Sequence, residues 1–177
     1  MIDLHQLTYE IGNNNSQVAL KHLFLYYHPR LLLFASYYVS SKEICEEIVS
    51  DAFIMIWNKR EQLSYIQNLN SYIYKITKNA AIDYLRKTDI QEKVDFSEAD
   101  FLIKVQADPE SELISSELMA EFDLAIDQLP EKCRMVFKLI RIHNLSYDEV
   151  SQIMNLSKKT LEGHMTLAIK RLKSLIE

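Results

Sequence analysis

The scarcity of glycine and proline is the feature that most constrains how this chain can fold. Its 177 residues include only 2 Gly and 3 Pro. All-β proteins depend on such residues at their many tight turns, so their scarcity favours helices. A chain of this length can form one ordinary domain or two small ones. The sequence therefore predicts an all-α fold.

Charge is distributed unevenly along the chain and indicates where the domains lie. Residues 1–90 carry nine Lys/Arg and nine Asp/Glu, residues 91–127 carry two and eleven, and residues 128–177 carry nine and five. A strongly acidic, weakly periodic segment between two patterned regions is typical of a linker. We therefore predict a helical domain at 1–88, an acidic linker at 89–111 and a second helical domain at 112–177.

The stretch NLSYDEVSQIMNLSKKTLEGHM, residues 144–165, has the pattern of two short amphipathic helices on either side of a tight break. Ser146 followed three residues later by Glu149 is a capping-box signature. Asn155 stands where the chain must turn, and Ser157 can cap the helix that follows. The C-terminal domain is predicted to contain four helices, the last two as a helix-turn-helix: about 112–128, 130–142, 146–154 and 157 onward.

The last helix has two distinct faces on a helical wheel. The face expected to be buried carries Leu161, Met165, Ala168 and Leu172. The opposite face carries Lys159, Gly163, Thr166 and Lys170, with Glu162 beside them. A basic stripe with small residues suits close approach to a DNA major groove. An ordinary solvated helix face is the alternative.

The stretch SKEICEEIVSDAFIMIWNKR, residues 41–60, is apolar on nearly every side after a polar start. A helix of this kind needs more than one neighbour. It is either the central helix of a small bundle, or a helix that packs on its own domain with one face and on a partner with the other. A charged rim around the apolar residues is typical of interaction sites; it consists of Glu46, Glu47, Asp51, Lys59 and Arg60.

The stretch NLNSYIYKITKNAAIDYLRK, residues 68–87, predicts a helix capped by Asn70 or Ser71. Its inward stripe is predicted to be Ile73, Ile76 and Ala80. A second face carries Tyr72, Lys75, Asn79 and Arg86, together with Asp83. Aromatic and basic side chains on one face suit single-stranded nucleic acid, and Tyr65 adds a possible stacking surface. Tyr and Lys are also common on any solvated helix.

Other classes of protein find little support in the sequence. Cys45 and Cys133 have no metal-ligand spacing and are expected to be buried thiols in a reducing compartment. No Gly-rich phosphate loop, nucleophile elbow or acid/base pair is present, so we predict neither an enzyme nor a cofactor or metal site. The N-terminus lacks a signal pattern and no apolar run approaches ~20 residues, so we predict a cytoplasmic protein without direct membrane insertion.

Three segments in order, EEIVSDAFIMIWNKR, NLNSYIYKITKNAAIDYLRK and LPEKCRMVFKLIRIHNLSYDEVSQIMNLSKKTLEGHMTLAIKRLKSL, carry a family resemblance. The chain resembles bacterial sigma factors of the extracytoplasmic-function group over residues 18–88 and 112–175. The resemblance implies a subunit that binds core RNA polymerase, reads the promoter −35 element as duplex and opens the −10 element. It also implies an acidic linker within the polymerase and an anti-sigma factor as a regulatory partner, with no small-molecule substrate.

The resemblance also assigns roles to individual residues. Core polymerase contact is expected at Glu47, Asp51, Phe53, Ile54 and Trp57. The −10 element and its non-template single strand are expected at Asn68, Leu69, Asn70, Ser71, Tyr72, Lys75, Asn79 and Arg86. The −35 duplex is expected at Ser157, Lys158, Lys159, Thr160, Glu162, Gly163, His164, Thr166 and Lys170.

The sequence departs from the family pattern at several positions. Ser50 and Asp51 replace a common Gln-Glu, while Ser151 and Asn155 replace a common Ala and Gly. Gly163 lies within the reading helix, where Gly costs about 1 kcal/mol relative to Ala. The competing hypothesis is a free-standing helix-turn-helix regulator that dimerises on a palindrome without polymerase.

Overall fold

A computed structural model describes residues 3–88 and 121–176 of the chain. All regular structure within these residues is helical, which confirms the predicted all-α class. The chain divides into two compact units, residues 1–96 and 97–177. The predicted linker at 89–111 lies outside the described residues. Each unit is treated separately below.

The first unit contains four α-helices and one 3-10 segment. The helices are α1 (Leu4–Asn14), α2 (Gln17–Ala35), α3 (Lys42–Asn58) and α4 (Leu69–Thr88), and the 3-10 segment is Arg60–Tyr65. Side-chain oxygens of Asp3, Ser16 and Ser41 accept backbone N–H bonds at the starts of the first three helices. These caps satisfy amide groups that have no partner within the helix, so the local sequence determines where each helix begins.

Helix α2 supplies much of the core of the first unit. Its side chains Leu23, Tyr27, Leu31 and Phe34 are completely buried. The Phe34 ring packs against Tyr74 of α4, with ring centroids 4.9 Å apart. Aromatic pairs at this separation add to the stabilisation from burial. Helix α2 thereby connects α4 to the rest of the bundle.

The inward stripe of α4 differs in part from the prediction. Ile73 is completely buried as predicted, but Ile76 and Ala80 are only half-buried. Tyr74, Thr77 and Ala81 complete the buried stripe instead. The polar Thr77 is tolerated because its hydroxyl donates a 3.1 Å hydrogen bond to the Ile73 carbonyl. The aromatic contact of Tyr74 with α2 thus rotates the helix relative to the predicted orientation.

Helix α1 lies against the 3-10 segment at very short range. A Cβ atom added to Gly12 would lie 2.8 Å from the Arg60 carbonyl oxygen. The Arg60 side chain stacks over the Trp57 ring at 4.7 Å and donates to the Trp57 carbonyl and to Asn15 Oδ1. Glycine at position 12 is therefore required by a close backbone approach rather than by an unusual dihedral angle.

The second unit is a small helical assembly with a buried apolar cluster. Its described elements are a helical segment at 121–127, α5 (Glu131–Arg141), α6 (Tyr147–Met154) and α7 (Lys158–Ile176). The predicted first helix ends as expected near residue 128, whereas its predicted start at 112 lies outside the described residues. The cluster consists of Ala125, Ile126, Leu129, Cys133, Phe137, Met165, Ala168 and Leu172.

Candidate nucleic-acid and partner interfaces

The turn between α6 and α7 is fixed by local hydrogen bonds. Ser146 and Glu149 form the predicted capping box at the start of α6. Asn155 adopts the left-handed conformation with φ 54° at its end, also as predicted. The Ser151 hydroxyl donates to the Leu156 carbonyl at 2.6 Å, and the Leu156 amide donates to the Ser151 carbonyl at 3.1 Å. These bonds set the direction in which α7 leaves the turn.

Helix α7 buries one stripe and exposes the other, as the sequence predicts. Ser157 Oγ accepts the Thr160 amide at 3.1 Å and thereby caps the helix. The buried stripe consists of Leu161, Met165, Ala168 and Leu172. The predicted DNA-reading residues are exposed except for the half-buried His164; the exposed ones are Ser157, Lys158, Lys159, Thr160, Glu162, Gly163, Thr166 and Lys170.

Several of the predicted reading residues have side-chain partners within the second unit, and the hydroxyl oxygens of Ser157 and Thr160 lie 2.8 Å apart. Lys158 Nζ lies 2.5 Å from Asp148 Oδ1 of α6, and both side chains are exposed. His164 Nδ1 lies 3.5 Å from the sulfur of Cys133 on α5. The contact of His164 with Cys133 could not be inferred from local sequence, because the two residues are 31 positions apart.

Gly163 serves no packing requirement in the fold. A Cβ atom added there would meet no atom within 4 Å. Its φ is not positive, so the backbone conformation does not demand glycine either. An exposed, uncrowded glycine suits close approach of the helix to a groove, and it equally suits a position that contacts no base.

Helix α3 has one face in the core and another at the surface. Ile48, Val49, Ala52 and Ile56 are buried, whereas Ile54 is 57% exposed and Met55 37% exposed. Trp57 is half-buried, and Glu47 and Asp51 are exposed beside this apolar face. Within the described residues, α3 is therefore not a fully enclosed central helix, which favours the hypothesis of a partner-binding face.

Phe53 differs from the other residues expected to contact a polymerase. Its side chain is only 5% exposed and meets the Phe24 ring edge-on, with centroids 4.9 Å apart. A side chain in this position supports α3 from beneath and does not form part of the surface. The accessible apolar surface of the helix consists of Ile54, Met55 and part of Trp57.

The N-cap of α4 is Asn68 rather than the predicted Asn70 or Ser71. Asn68 Oδ1 accepts the Ser71 amide at 2.9 Å, and its carbonyl accepts the Tyr72 amide. The helix therefore begins two or three residues earlier than expected. Asn70 Oδ1 instead accepts a 2.5 Å hydrogen bond from the Tyr27 hydroxyl of α2. This tertiary bond, over 43 positions, could not be inferred from local sequence.

Two hydroxyl groups at the start of α4 are buried without partners. Within the described residues, neither Ser71 Oγ nor the Tyr72 hydroxyl has a hydrogen bond. Burial raises the pKa of Tyr72, so the hydroxyl keeps its proton and can act as a donor at neutral pH. Unpaired buried hydroxyls cost stability, so these two groups are unfavourable for folding of the first unit.

The remaining nucleic-acid candidates on α4 are exposed. Lys75, Asn79 and Arg86 lie on the surface, and Arg86 pairs with Asp83 at 3.6 Å in a solvent-exposed contact. Lys78, which the sequence analysis missed, lies half-buried between them. Burial and then the neighbouring Lys75 lower its pKa. Tyr65, at the end of the 3-10 segment, is 85% exposed.

Neither a membrane span nor a metal site is found in the described part of the chain. None of the helices in that part is long and apolar enough to cross a bilayer. The same residues contain no group of three or more His, Cys, Asp or Glu side chains placed to hold a metal ion.

Both units match known sequence families. The Sigma-70 region 2 family matches residues 23–90, and the Sigma-70 region 4 family matches residues 119–172. The first span contains α3 and α4, and the second contains the helix-turn-helix.

Known proteins resemble the chain along most of its length. It is 25% identical to the ECF RNA polymerase sigma-E factor of Escherichia coli K12, over 97% of this chain and 94% of the relative. It is also 25% identical to the RNA polymerase sigma factor SigZ of Bacillus subtilis, over 85% of this chain and 83% of that protein.

Solved structures share the fold. The structure of CnrH in complex with the cytosolic domain of CnrY matches with a TM-score of 0.64 at 18% identity, over 97% of this chain and 96% of that one. The Bartonella quintana sigma factor RpoE, solved in complex with the anti-sigma factor NepR, matches with a TM-score of 0.63 at 22% identity, over 88% and 95%. From the two family matches in order and the similarity to sigma-E along nearly the whole chain, we conclude that this protein belongs to the sigma-70 family, in the extracytoplasmic-function group of sigma factors that direct RNA polymerase to promoters.

Proposed function

We propose that this sigma factor divides its task between its two units. Residues 1–88 bind core polymerase and open the −10 element, residues 89–111 form an acidic linker, and residues 112–177 read the −35 element as duplex. The observation that carries the proposal is the double-faced character of α3 and α7. Each helix packs one face into its own unit and leaves a chemically distinct face exposed. The α3 face is apolar and suits a protein, whereas the α7 face is basic and suits DNA.

Reading of the −35 duplex is assigned to the exposed stripe of α7. Lys158, Lys159 and Lys170 are placed to neutralise phosphates, which fixes the position of the helix on the duplex. The hydroxyl groups of Ser157 and Thr166 can donate further hydrogen bonds to the DNA backbone. Thr160, Glu162 and His164 carry groups that can bond base edges in a major groove, and Gly163 leaves room between them.

Opening of the −10 element is assigned to the start of α4 and the loop before it. Asn68, Leu69, Asn70 and Ser71 form the site for a base extruded from the non-template strand. The unpaired hydroxyls of Ser71 and Tyr72 support this assignment, because a flipped base can supply the missing hydrogen bonds. Lys75, Asn79 and Arg86 then follow the phosphates of the melted strand.

Polymerase binding is assigned to the outer face of α3. Ile54 and Trp57 supply apolar contact area, and Glu47 and Asp51 supply charge at its edge. Phe53 acts from inside the unit by holding the helix in place. Buried apolar area at the centre of such a contact dominates its free energy.

The mode of action, the cellular location and the partners of the protein follow from this role. The protein acts by binding, and no catalytic step is assigned to it. It works where the polymerase works, in the cytoplasm. Two proteins of the same fold were solved in complex with partner proteins, and one of these partners, NepR, is named an anti-sigma factor. We therefore include an anti-sigma factor among the partners of this chain, alongside core polymerase and promoter DNA.

The test is run-off transcription with purified core polymerase on genomic fragments, with and without the protein. Transcripts that start at defined sites only in its presence support the proposal. Ile54→Ser should abolish most of this transcription and weaken co-migration with core polymerase. Val18→Ser, a matched control on α2 with 66% exposure against 57% for Ile54, should leave both unchanged.

The outcome that contradicts the proposal is equally definite. Absence of transcripts, combined with tight specific DNA binding without polymerase, would identify a free-standing regulator. Equal effects of Ile54→Ser and Val18→Ser would show that the outer face of α3 is not the polymerase contact. Thermal unfolding of both variants excludes loss of folding as the cause, since neither side chain belongs to the core.

A further inference from the structure

The contact between Cys133 and His164 joins the core of the second unit to its DNA-facing helix. Cys133 is 2% exposed and belongs to the apolar cluster that α7 packs against. Its sulfur lies 3.5 Å from His164 Nδ1. Within the described residues, the other ring nitrogen of His164, Nε2, has no hydrogen bond. A small buried thiol alone would require no explanation, but within the described residues its polar contact is with a proposed reading residue.

The environment of the thiol keeps its proton in place. Burial raises the pKa of Cys133, against a smaller opposing effect of Arg171. The thiol is therefore protonated at neutral pH, and its S–H can donate to a nearby acceptor. A neutral imidazole has one donor and one acceptor nitrogen. When Nδ1 accepts from the thiol, the ring proton must be on Nε2.

We propose that Cys133 is a positioning residue for His164. Its thiol holds the His164 ring with the proton on Nε2, so that the Nε2–H group donates a hydrogen bond to a base edge of the −35 element. The hydrogen-bonding directions of Nδ1 and Nε2 diverge widely, so an Nδ1 atom held towards the core turns the Nε2–H bond away from it. The inference rests on the proposed function, in which α7 faces the major groove with its exposed stripe.

The tautomer of His164 determines which base edges its ring can hydrogen-bond. A donor at Nε2 matches guanine O6 or N7, adenine N7 and thymine O4 in the major groove. It cannot pair with the amino group of cytosine, which is also a donor. His164 should therefore select against cytosine at the base it contacts. One net hydrogen bond of this kind corresponds to roughly a twofold to tenfold preference.

The first experiment measures the ring protons directly. The full-length protein is labelled with ¹⁵N at histidine, and the His164 signals are identified by their loss in His164→Gln. Spectra are recorded well above the ordinary histidine pKa of about 6.5. We expect Nδ1 to be unprotonated and Nε2 protonated in the wild type, with Cys133→Ser preserving the pattern through its hydroxyl. A proton on Nδ1 in the wild type would overturn the inference.

The second experiment measures base preference. Core polymerase with each variant transcribes a library of promoters randomised through the −35 element. Cys133→Ala should reduce discrimination against cytosine by roughly twofold to tenfold at the position where His164→Gln also acts. Cys133→Ser should restore it. Cys45→Ala removes the buried thiol of the first unit and should not change the base preference.

The outcomes separate the inference from the function on which it rests. If His164→Gln leaves every base preference unchanged, the proposed reading role of His164 fails, and the inference fails with it. If His164→Gln changes a preference but Cys133→Ala matches the wild type, only the inference is overturned. Lys159→Ala should lower transcription from all promoters evenly, which distinguishes loss of phosphate contact from loss of base selection. A folded Cys133→Ala protein, verified by thermal unfolding, is required for either conclusion.

Discussion

The two glycines of this chain occupy opposite physical situations. Gly12 lies where α1 meets the 3-10 segment, with no space for a side chain. Gly163 lies on the exposed face of α7, with open space around it. The first glycine is a requirement of the fold, whereas the second weakens its helix and has no structural benefit within the described residues. Replacing each glycine by alanine can therefore distinguish a structurally required glycine from one that is not required.

Alanine at these positions should have effects of opposite sign. Gly12→Ala should lower the free energy of unfolding by about 1–3 kcal/mol, because the new methyl group meets backbone that cannot rotate away. Gly163→Ala should raise it by about 1 kcal/mol, since alanine favours the helix. Thermal unfolding of the two variants beside the wild type measures both effects. Equal shifts in the same direction would contradict this account.

Gly163→Ala also tests why a glycine is present in the reading helix. If the position permits close groove approach, the more stable variant should direct less transcription from promoters that depend on the −35 element. Transcription equal to wild type would indicate an unread position. Because the substitution adds a single methyl group and no polar atom, a loss of transcription could be attributed to steric contact.

Local sequence predicted the turn of the helix-turn-helix well, although it placed the N-cap of α4 at Asn70 or Ser71 instead of Asn68. The capping box of Ser146 and Glu149 and the left-handed Asn155 depend on neighbours within a few positions. The bond between Asn70 and Tyr27, and that between Cys133 and His164, connect residues far apart in sequence. Periodicity gives no information about such pairs, so two candidate residues had side-chain partners that the sequence could not reveal.

At the scale of elements, the pair Asp148–Lys158 links α6 to the start of the reading helix. The two side chains are both more than half exposed. An exposed ion pair contributes about 0.2–1 kcal/mol, so it holds Lys158 only weakly. It also keeps a negative charge beside a residue assigned to phosphate contact. Binding to DNA must therefore compete with this internal partner.

Asp148→Asn should strengthen promoter binding by the complex of polymerase with this protein. Loss of the competing carboxylate frees Lys158 and removes a repulsion, which together should raise affinity by up to roughly fivefold at low salt. The gain should shrink as salt increases. Glu131→Gln, which removes the same charge from an exposed site on α5, serves as the matched control. A similar gain from both variants would indicate a general charge effect.

Element existence and type were easier to predict than element orientation. The sequence predicted α3, α4 and α7 near their observed positions, because periodicity and caps are local properties. It placed Ile76 and Ala80 inward on α4, whereas packing of Tyr74 on Phe34 selects a different stripe. For α3, the sequence left open whether the helix is the centre of a bundle or has a face for a partner. The exposure of Ile54 and Met55 favours the second alternative.

At the scale of the whole molecule, positive and negative charge are concentrated in different parts of the sequence. The full chain carries a net charge of −5, although residues 128–177 are basic with a net charge of +4. The acidic residues concentrate in residues 91–127, most of which lie outside the described structure. A polyanionic segment tethered to a weak DNA-binding unit lowers the attraction of that unit for phosphate.

Neutralising the acidic residues of 91–110 should therefore strengthen binding of the free protein to duplex DNA. Replacement of each Asp and Glu by Asn and Gln keeps the length of the segment and removes its charge. Affinity for a −35 duplex at fixed low salt should rise severalfold, and the difference should diminish at high salt. A shuffled segment of unchanged composition is the control. Unchanged affinity after neutralisation would show that the linker does not restrain the free protein.

The separation of buried and exposed stripes on α7 has a consequence for how promoter choice can change. Among the proposed reading residues, His164 contacts the core through Cys133, whereas Lys159, Glu162, Gly163 and Thr166 lie exposed on the surface. Substitutions there incur little loss of folding stability, so selection or laboratory design can explore new target sequences without first compensating for damage to the scaffold. Recognition can diversify by single steps, each producing a folded and testable protein.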